Sequence, residues 1–312
     1  MGVPFVVVPM IGNNILRATG DTKTPGLIMI FGALANFLLD PVLIFGPGPF
    51  PALGVRGAAM ATLIGRGCTF LISMYALVRR ERLLSAEIPR YREVWRSWVE
   101  ILFVGLPNAG TRMIIPFGQG VITRAVASYG AAAVAGYGIA TRVEFFSLVA
   151  LNALSSVIGP FVGQNIGAGK FERVRECFVV SRRFSFYTGM AVFFLNLFFA
   201  GRVAALFNED PEVVTVAGLY LRIVSLSFAA QGFYLVVSAG CNVLKRPFHA
   251  VGLSFLELFG LAIPLALLGS RLIGITGIFG AIGISYLITG GVAWMVIDRV
   301  LTRYKRSPPQ PS

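Results

Sequence analysis

The sequence predicts an all-α polytopic membrane protein, and three observations predict it. Hydrophobic residues fill 56% of the 312 positions, while charged residues supply 13%, about half the share a soluble domain carries. Mean hydropathy is +0.77. The apolar residues come in runs of about 20, the length that crosses a hydrocarbon core roughly 30 Å thick as a helix. A net charge of +13 invites a nucleic-acid reading, but that requires basic residues clustered on a polar face. Here they fall in short connections between apolar runs. Soluble enzymes, nucleic-acid binders and disordered chains are excluded together.

The elements follow in order. Met1 to Leu16 is apolar from its first residue and lacks the basic start and small-residue cleavage site of a signal peptide. As a helix it reaches about 24 Å, too short to cross, so it reads as half a span. Eight complete spans follow at 25–46, 55–78, 99–127, 132–160, 179–201, 212–243, 248–269 and 275–298. Thr24-Pro25, Asp210-Pro211 and Arg246-Pro247 place proline at a first helical position, where its missing N–H costs nothing. Cys68, Cys177 and Cys241 are scattered through or beside apolar segments and read as packing residues, not as a disulfide framework or zinc site.

Alternate connections differ sharply in Lys and Arg. One set carries Arg17, Lys23, the group from Arg79 to Arg96, the group from Lys170 to Arg183, Lys245, Arg246, and Arg299 to Arg306. The other carries only Arg56, Arg202 and Arg271. By the positive-inside rule the first set and the C-terminus are cytoplasmic, which accounts for the charge surplus without nucleic acid.

An internal parallel repeat is also visible. Gly54, Gly57 and Ala58 fall on Gly277, Gly280 and Ala281 at a constant offset, and each copy has a basic turn followed by proline upstream, Thr22-Lys-Thr-Pro25 and Leu244-Lys-Arg-Pro247.

Several motifs carry a family resemblance. They are Asn14-Ile-Leu-Arg-Ala-Thr-Gly-Asp-Thr-Lys-Thr-Pro25, Asn36-Phe-Leu-Leu-Asp-Pro41 and Gly54-Val-Arg-Gly-Ala-Ala-Met-Ala-Thr62, then Gly105-Leu-Pro107, Tyr129-Gly130 and Val162-Gly-Gln-Asn-Ile-Gly-Ala168. In this order the chain resembles the multidrug and toxic compound extrusion (MATE) family over essentially its whole length. The resemblance implies a two-lobe helical bundle around a central cavity. It further implies antiport that expels organic compounds, often cationic, against H⁺ or Na⁺. Residues 1–78 then correspond to the end of the first lobe (partial helix four, helices five and six), 79–98 to a cytoplasmic inter-lobe linker, 99–300 to the second lobe, and 301–312 to a cytoplasmic tail. On this reading the chain has about eight full transmembrane helices plus a partial one. The first lobe is incomplete, as in a truncated product or one whose start was placed at an internal methionine, and a non-transporting fragment is then an alternative to the antiporter. It is expected to act as a monomer in the cell (inner or plasma) membrane, with a small organic substrate, no cofactor and no resident metal.

Ionisable groups inside spans are the first candidates for function, because burying them in hydrocarbon is costly. Asp40 lies four residues after Asn36, on the same helical face, and Pro41 frees a backbone carbonyl nearby. This is either a satisfied helix end or a hard-oxygen site for H⁺ or transient Na⁺. The resemblance favours the latter: some members build a first-lobe cation site from this N-x-x-x-D, a helix-six threonine that Thr62 matches, and a helix-one aspartate with no counterpart in these residues. Glu257 sits near the centre of its span and either bridges an arginine of a neighbouring helix or serves as a coupling or substrate carboxylate. Glu144 is two residues from Arg142, off its face, so the two find different partners. Another branch of the family uses an acidic residue on helix seven, and the span 101–127 has none. Asn108, Gln119, Asn152, Gln164, Asn165, Gln231 and Tyr234 are candidates for a substrate path or for helix–helix hydrogen bonds.

Arg66, Arg112, Arg142 and Arg222 lie deep within spans. Facing a cavity, they suit an anionic or zwitterionic substrate and a lipid-linked saccharide flippase. Facing helix interfaces, they leave the multidrug reading in place. A membrane enzyme would need clustered catalytic groups, yet the chain has one histidine, His249, and no D-x-x-D. No G-x-x-x-x-G-K-[ST] phosphate loop is present to use ATP directly.

Overall fold

A computed structural model describes residues 3–46, 51–80 and 90–306. Met1, Gly2, the stretch 81–89 with Arg82, and the end of the tail at 307–312 lie outside the described residues. The chain divides into two compact units, Met1–Arg90 and Tyr91–Ser312, a division that falls within the expected linker 79–98.

The first unit contains α1 (Val3–Ala18), α2 (Lys23–Phe45) and α3 (Val55–Tyr75), with a π-helical turn at Ala76–Arg80. Asp21 starts α2: its Oδ1 accepts the backbone N–H groups of Lys23 and Thr24, both at 3.0 Å. The helix therefore begins two residues before Pro25, which occupies its first turn rather than the first position, still where no intrahelical N–H is needed. Gly46 ends α2 in the left-handed region with φ 61, returning its N–H to the Val42 carbonyl at 3.1 Å. The unit's own core is small, built on Leu16, Ile28, Ala76 and Leu77. Only 11% of the most apolar stretch of α2 is buried, so its remaining surface requires an apolar solvent.

The second unit begins with α4 (Tyr91–Ala127), then α5 (Ala131–Ser147) and α6 (Val149–Gly167), a pair bent by 49° at Leu148. α7 (Phe171–Ala205) is continuous. α8 (Pro211–Val224) and α9 (Phe228–Val243) are joined by a 3₁₀ turn at Ser225–Ser227. α10 (Pro247–Phe255) and α11 (Ile263–Ile273) are joined by a π-helical turn at Leu256–Ala262, and α12 runs Ile275–Arg306. Pro211 and Pro247 do occupy first helical positions, and Asp210 caps α8 through Glu212 N–H at 2.9 Å. Two apolar clusters hold the unit together, one around Tyr220, Phe228 and Phe279 and one around Phe178, Val237 and Ile297.

Among the described residues, six segments are long and apolar enough to cross a membrane, and the bent pair α5–α6 makes a seventh. The expected span 99–127 is helical throughout, inside α4, but is not among them. Glu100, Arg112 and Arg124 dilute it, and Pro107 and Pro116 interrupt its backbone bonding. α1 is a shorter apolar helix of 16 residues, in line with the half-span expected there. The chain is an integral membrane protein.

The repeat is present, but its register differs from the one the residue types suggest. Gly54 and Gly274 immediately precede α3 and α12, with φ 54 and 67. Three residues on, Gly57 and Gly277 do the same packing work. A Cβ on Gly57 would lie 2.0 Å from the Leu43 carbonyl oxygen, and one on Gly277 would lie 2.0 Å from that of Gly269. Gly54 thus corresponds to Gly274 rather than Gly277, and Gly57 to Gly277 rather than Gly280. Backbone contact, not the G-x-x-G-A string, sets the alignment: Gly280 has nothing within 4 Å of its added Cβ.

Candidate functional site

In the first unit, α2 and α3 run antiparallel and bring Asn36, Asp40 and Thr62 together. With its nitrogen toward Asp40, the Asn36 amide donates to Oδ2 at 3.1 Å while its oxygen accepts the Thr62 backbone N–H at 3.2 Å. The opposite assignment leaves one bond of 3.4 Å to Thr62 Oγ1, so the network favours the first. The Thr62 hydroxyl donates to the Ala58 carbonyl at 2.9 Å, which leaves its oxygen lone pairs available. Asp40 is half-buried and has no ion pair among the described residues. A groove of about 440 Å³ reaches Asn36 and Thr62 from the side away from Asp40, lined also by Met29, Gly32, Arg66 and Thr69 among others.

The second unit encloses a cavity of about 290 Å³ into which six helices and the π turn send polar groups. Gln119 comes from α4, Tyr137, Thr141 and Glu144 from α5, Asn152 from α6, Tyr220 from α8, Gln231 and Tyr234 from α9, Glu257 from the π turn and Tyr286 from α12. Glu144 is 8% exposed and is held by three donors. Tyr220 donates to Oε2 at 2.5 Å, Gln231 Nε2 to Oε1 at 3.2 Å, and Tyr286 to Oε1 at 3.5 Å. Tyr220 is fixed in turn by edge-on packing against Tyr137 at 5.6 Å and Phe279 at 5.0 Å between ring centroids. Gln231 Oε1 is buried with no hydrogen-bond partner. Tyr234 shares a 2.6 Å hydrogen bond with Ser254. The π turn adds one residue per turn to the helix, and this places Glu257 in the cavity wall.

Glu257 forms no ion pair among the described residues, so the expected bridge to an arginine gives way to the cavity-facing alternative. The reason is that Arg112, Arg142 and Arg222 all lie on exposed faces of their helices and none lines the cavity. Arg142 and Glu144 do part company, one exposed and one buried. Of the polar residues expected on a substrate path, Gln119, Asn152, Gln231 and Tyr234 reach the cavity, and Asn108, Gln164, Asn165 and Arg112 do not. Asn108 instead exchanges two hydrogen bonds of 3.1 Å with Asn242, tying α4 to α9. Gln164 is exposed on α6 away from the cavity, and Arg112 is exposed on α4. Sequence reasoning missed Tyr137, Tyr220 and Tyr286. The available signal was depth, since tyrosine favours membrane interfaces and these lie well inside apolar segments.

Residues 107–268 match the MatE family profile. The chain is 33% identical over 300 residues to a protein of Shewanella oneidensis named FAD transporter, covering 96% of this chain and 66% of that protein. It is 27% identical over 267 residues to the probable multidrug resistance protein YoeA of Bacillus subtilis, covering 85% and 58%. A crystal structure of a variant of the Vibrio cholerae MATE transporter VcmN superposes with a TM-score of 0.88 at 28% identity, covering 95% of this chain and 66% of that one. The chain thus spans less than two thirds of the length of these relatives. With a helical membrane fold, the same arrangement of helices as VcmN and a family profile matched over half its residues, the chain belongs to the MatE family, whose members are transporters rather than enzymes.

Proposed function

We propose that this chain serves a secondary active antiporter that exports organic compounds, many of them cationic, in exchange for H⁺ or Na⁺. It acts as a monomer in the cell (inner or plasma) membrane, without a cofactor and with its C-terminus cytoplasmic. The observation that carries this reading is the cavity of the second unit. Glu144 and Glu257 face it, four tyrosines and three amides line it, and among the described residues no Lys or Arg does. A carboxyl held inside a membrane without a cationic partner is costly unless it exchanges an ion or meets a cationic ligand. The aromatic walls suit a flat cation as well.

The coupling groups are Asp40 with Asn36 and Thr62 in the first unit, and Glu144 with Glu257 in the second. Three donors already occupy the oxygens of Glu144 and leave no room for a metal ion, so the exchangeable ion there is a proton, taken up when one of these donors turns away. Gln231 gives its nitrogen to Glu144 and leaves its buried oxygen unpartnered, so turning the amide over would let that oxygen accept from a protonated Glu144. Asp40, Asn36 and Thr62 present hard oxygens with free lone pairs, which fit either H⁺ or Na⁺. Support from relatives comes from names such as the probable multidrug resistance protein YoeA. A second reading, export of a flavin nucleotide, is favoured by the 33% identity to the FAD transporter.

The test is efflux of ethidium from vesicles containing the purified protein, under imposed H⁺ or Na⁺ gradients. Efflux that follows one gradient and collapses with the matching ionophore supports the proposal. Ethidium leaving equally fast with no gradient removes the antiport reading.

A further inference from the structure

Arg66 stands near the middle of the 25-residue segment Val55–Arg79, yet the guanidinium has no acceptor among the described residues; only its backbone carbonyl is engaged, by Thr69. It is exposed and lines the groove of about 440 Å³ between α2 and α3. The groove floor exists because Gly32 and Gly65 let the helices approach. A Cβ on Gly65 would come 3.3 Å from the Gly32 carbonyl oxygen, and one on Gly32 would lie 2.2 Å from the Thr69 methyl. An unpaired guanidinium at this depth is expensive, and it offers a planar fork of donors that matches phosphate and carboxylate.

The placement of Asp40 adds a direction. Asn36 meets Thr62 across the helix pair. Asp40 is one turn beyond Asn36 toward the connection, and Arg66 is one turn beyond Thr62 away from it. The two charges therefore lie on opposite sides of that contact, about 12 Å apart along the helix axes. At that separation they form no ion pair.

From this geometry we infer that Arg66 forms an anion subsite in the groove, which takes the phosphate or carboxylate of an organic substrate while Asp40 handles the coupling ion. The inference rests on the antiport reading in its second form, export of a flavin nucleotide, and departs from the cationic substrates argued from the second unit's cavity.

The test uses flavin mononucleotide and riboflavin, a fluorescent pair differing by one phosphate, with the purified protein in phosphatidylcholine nanodiscs. Flavin mononucleotide is expected to bind at least tenfold more tightly. Arg66→Gln is expected to bring it down to the riboflavin level without changing riboflavin binding, and Arg66→Lys to retain part of the preference. A readout that needs no variant is competition: millimolar inorganic phosphate should displace the mononucleotide but not riboflavin. If nanodiscs of phosphatidylglycerol suppress mononucleotide binding in an Arg66-dependent way, the subsite holds a lipid phosphate; if they do not, it holds a soluble one. Equal binding of the two flavins, no binding of the mononucleotide, or a preference unaltered by Arg66→Gln overturns the inference. Since these are binding measurements, such a failure leaves the antiport reading to its own ion-gradient test.

Discussion

The two units each place a carboxyl inside membrane helices, and they treat it in opposite ways. Asp40 is half-buried and bonded to one amide, Asn36, which in turn meets Thr62, with oxygen lone pairs to spare. Glu144 is buried beneath three donors drawn from α8, α9 and α12. Among the described residues, α2 and α3 meet at the Asp40 network, whereas six helices of the second unit converge on one cavity. An open carboxyl can admit an ion with its own ligands. An enclosed one is committed to the hydrogen bonds its walls supply, and changing its charge disturbs every wall at once.

Several substitutions would break or sharpen this contrast. The largest effect is expected from Asp40→Asn, which should abolish ion-driven efflux of ethidium with little change in melting; unchanged efflux with unchanged ion dependence would remove Asp40 from the coupling site. Gly277→Val comes next. Its side chain would strike the Gly269 carbonyl, and overpacking of this kind costs roughly 1–3 kcal/mol or more. Thermal unfolding in detergent should register this, and Gly280→Ala should not. Glu144→Ala should destabilise the second unit by about 1–3 kcal/mol, because Tyr220 and Gln231 lose their acceptor. Tyr220→Phe should cost about 1–2 kcal/mol and Tyr286→Phe less, as their distances of 2.5 and 3.5 Å imply. The smallest effect belongs to the Asn108–Asn242 pair, where a double-mutant cycle should return about 0.6 kcal/mol of coupling, the usual size for interhelical hydrogen bonds in membranes.

Much of the fold was legible because the membrane simplifies the problem: a run of about 20 apolar residues has few alternatives to a spanning helix. The breaks inside spans were not legible. Leu148 and Ser225–Ser227 interrupt regular helix without a proline at the break, because tertiary packing dictates them, whereas Pro264 follows the turn at Leu256–Ala262 and denies the Gly260 carbonyl its N–H partner. The repeat was legible as a pair of glycine motifs, but its register was not, since it depends on which glycine touches a carbonyl.

The candidate site shows the same division. Asp40, Glu144 and Glu257 announce themselves as charges in apolar surroundings. Asn36 and Thr62 gather at Asp40, as the helical spacing and the family resemblance together suggested. The tyrosines that cage Glu144 look apolar to any hydropathy reading. Asn108, Gln164 and Arg112 reach elsewhere because helical spacing fixes a face without saying which neighbour that face meets.

The claim that the enclosed carboxyl carries a proton is tested most directly by Glu144→Gln, compared with the unaltered protein in proton-driven ethidium efflux. Glutamine keeps an acceptor oxygen for Tyr220 but cannot exchange a proton. The account predicts an efflux rate reduced tenfold or more with unchanged melting. Full efflux with unchanged pH dependence would show that Glu144 only braces the helices.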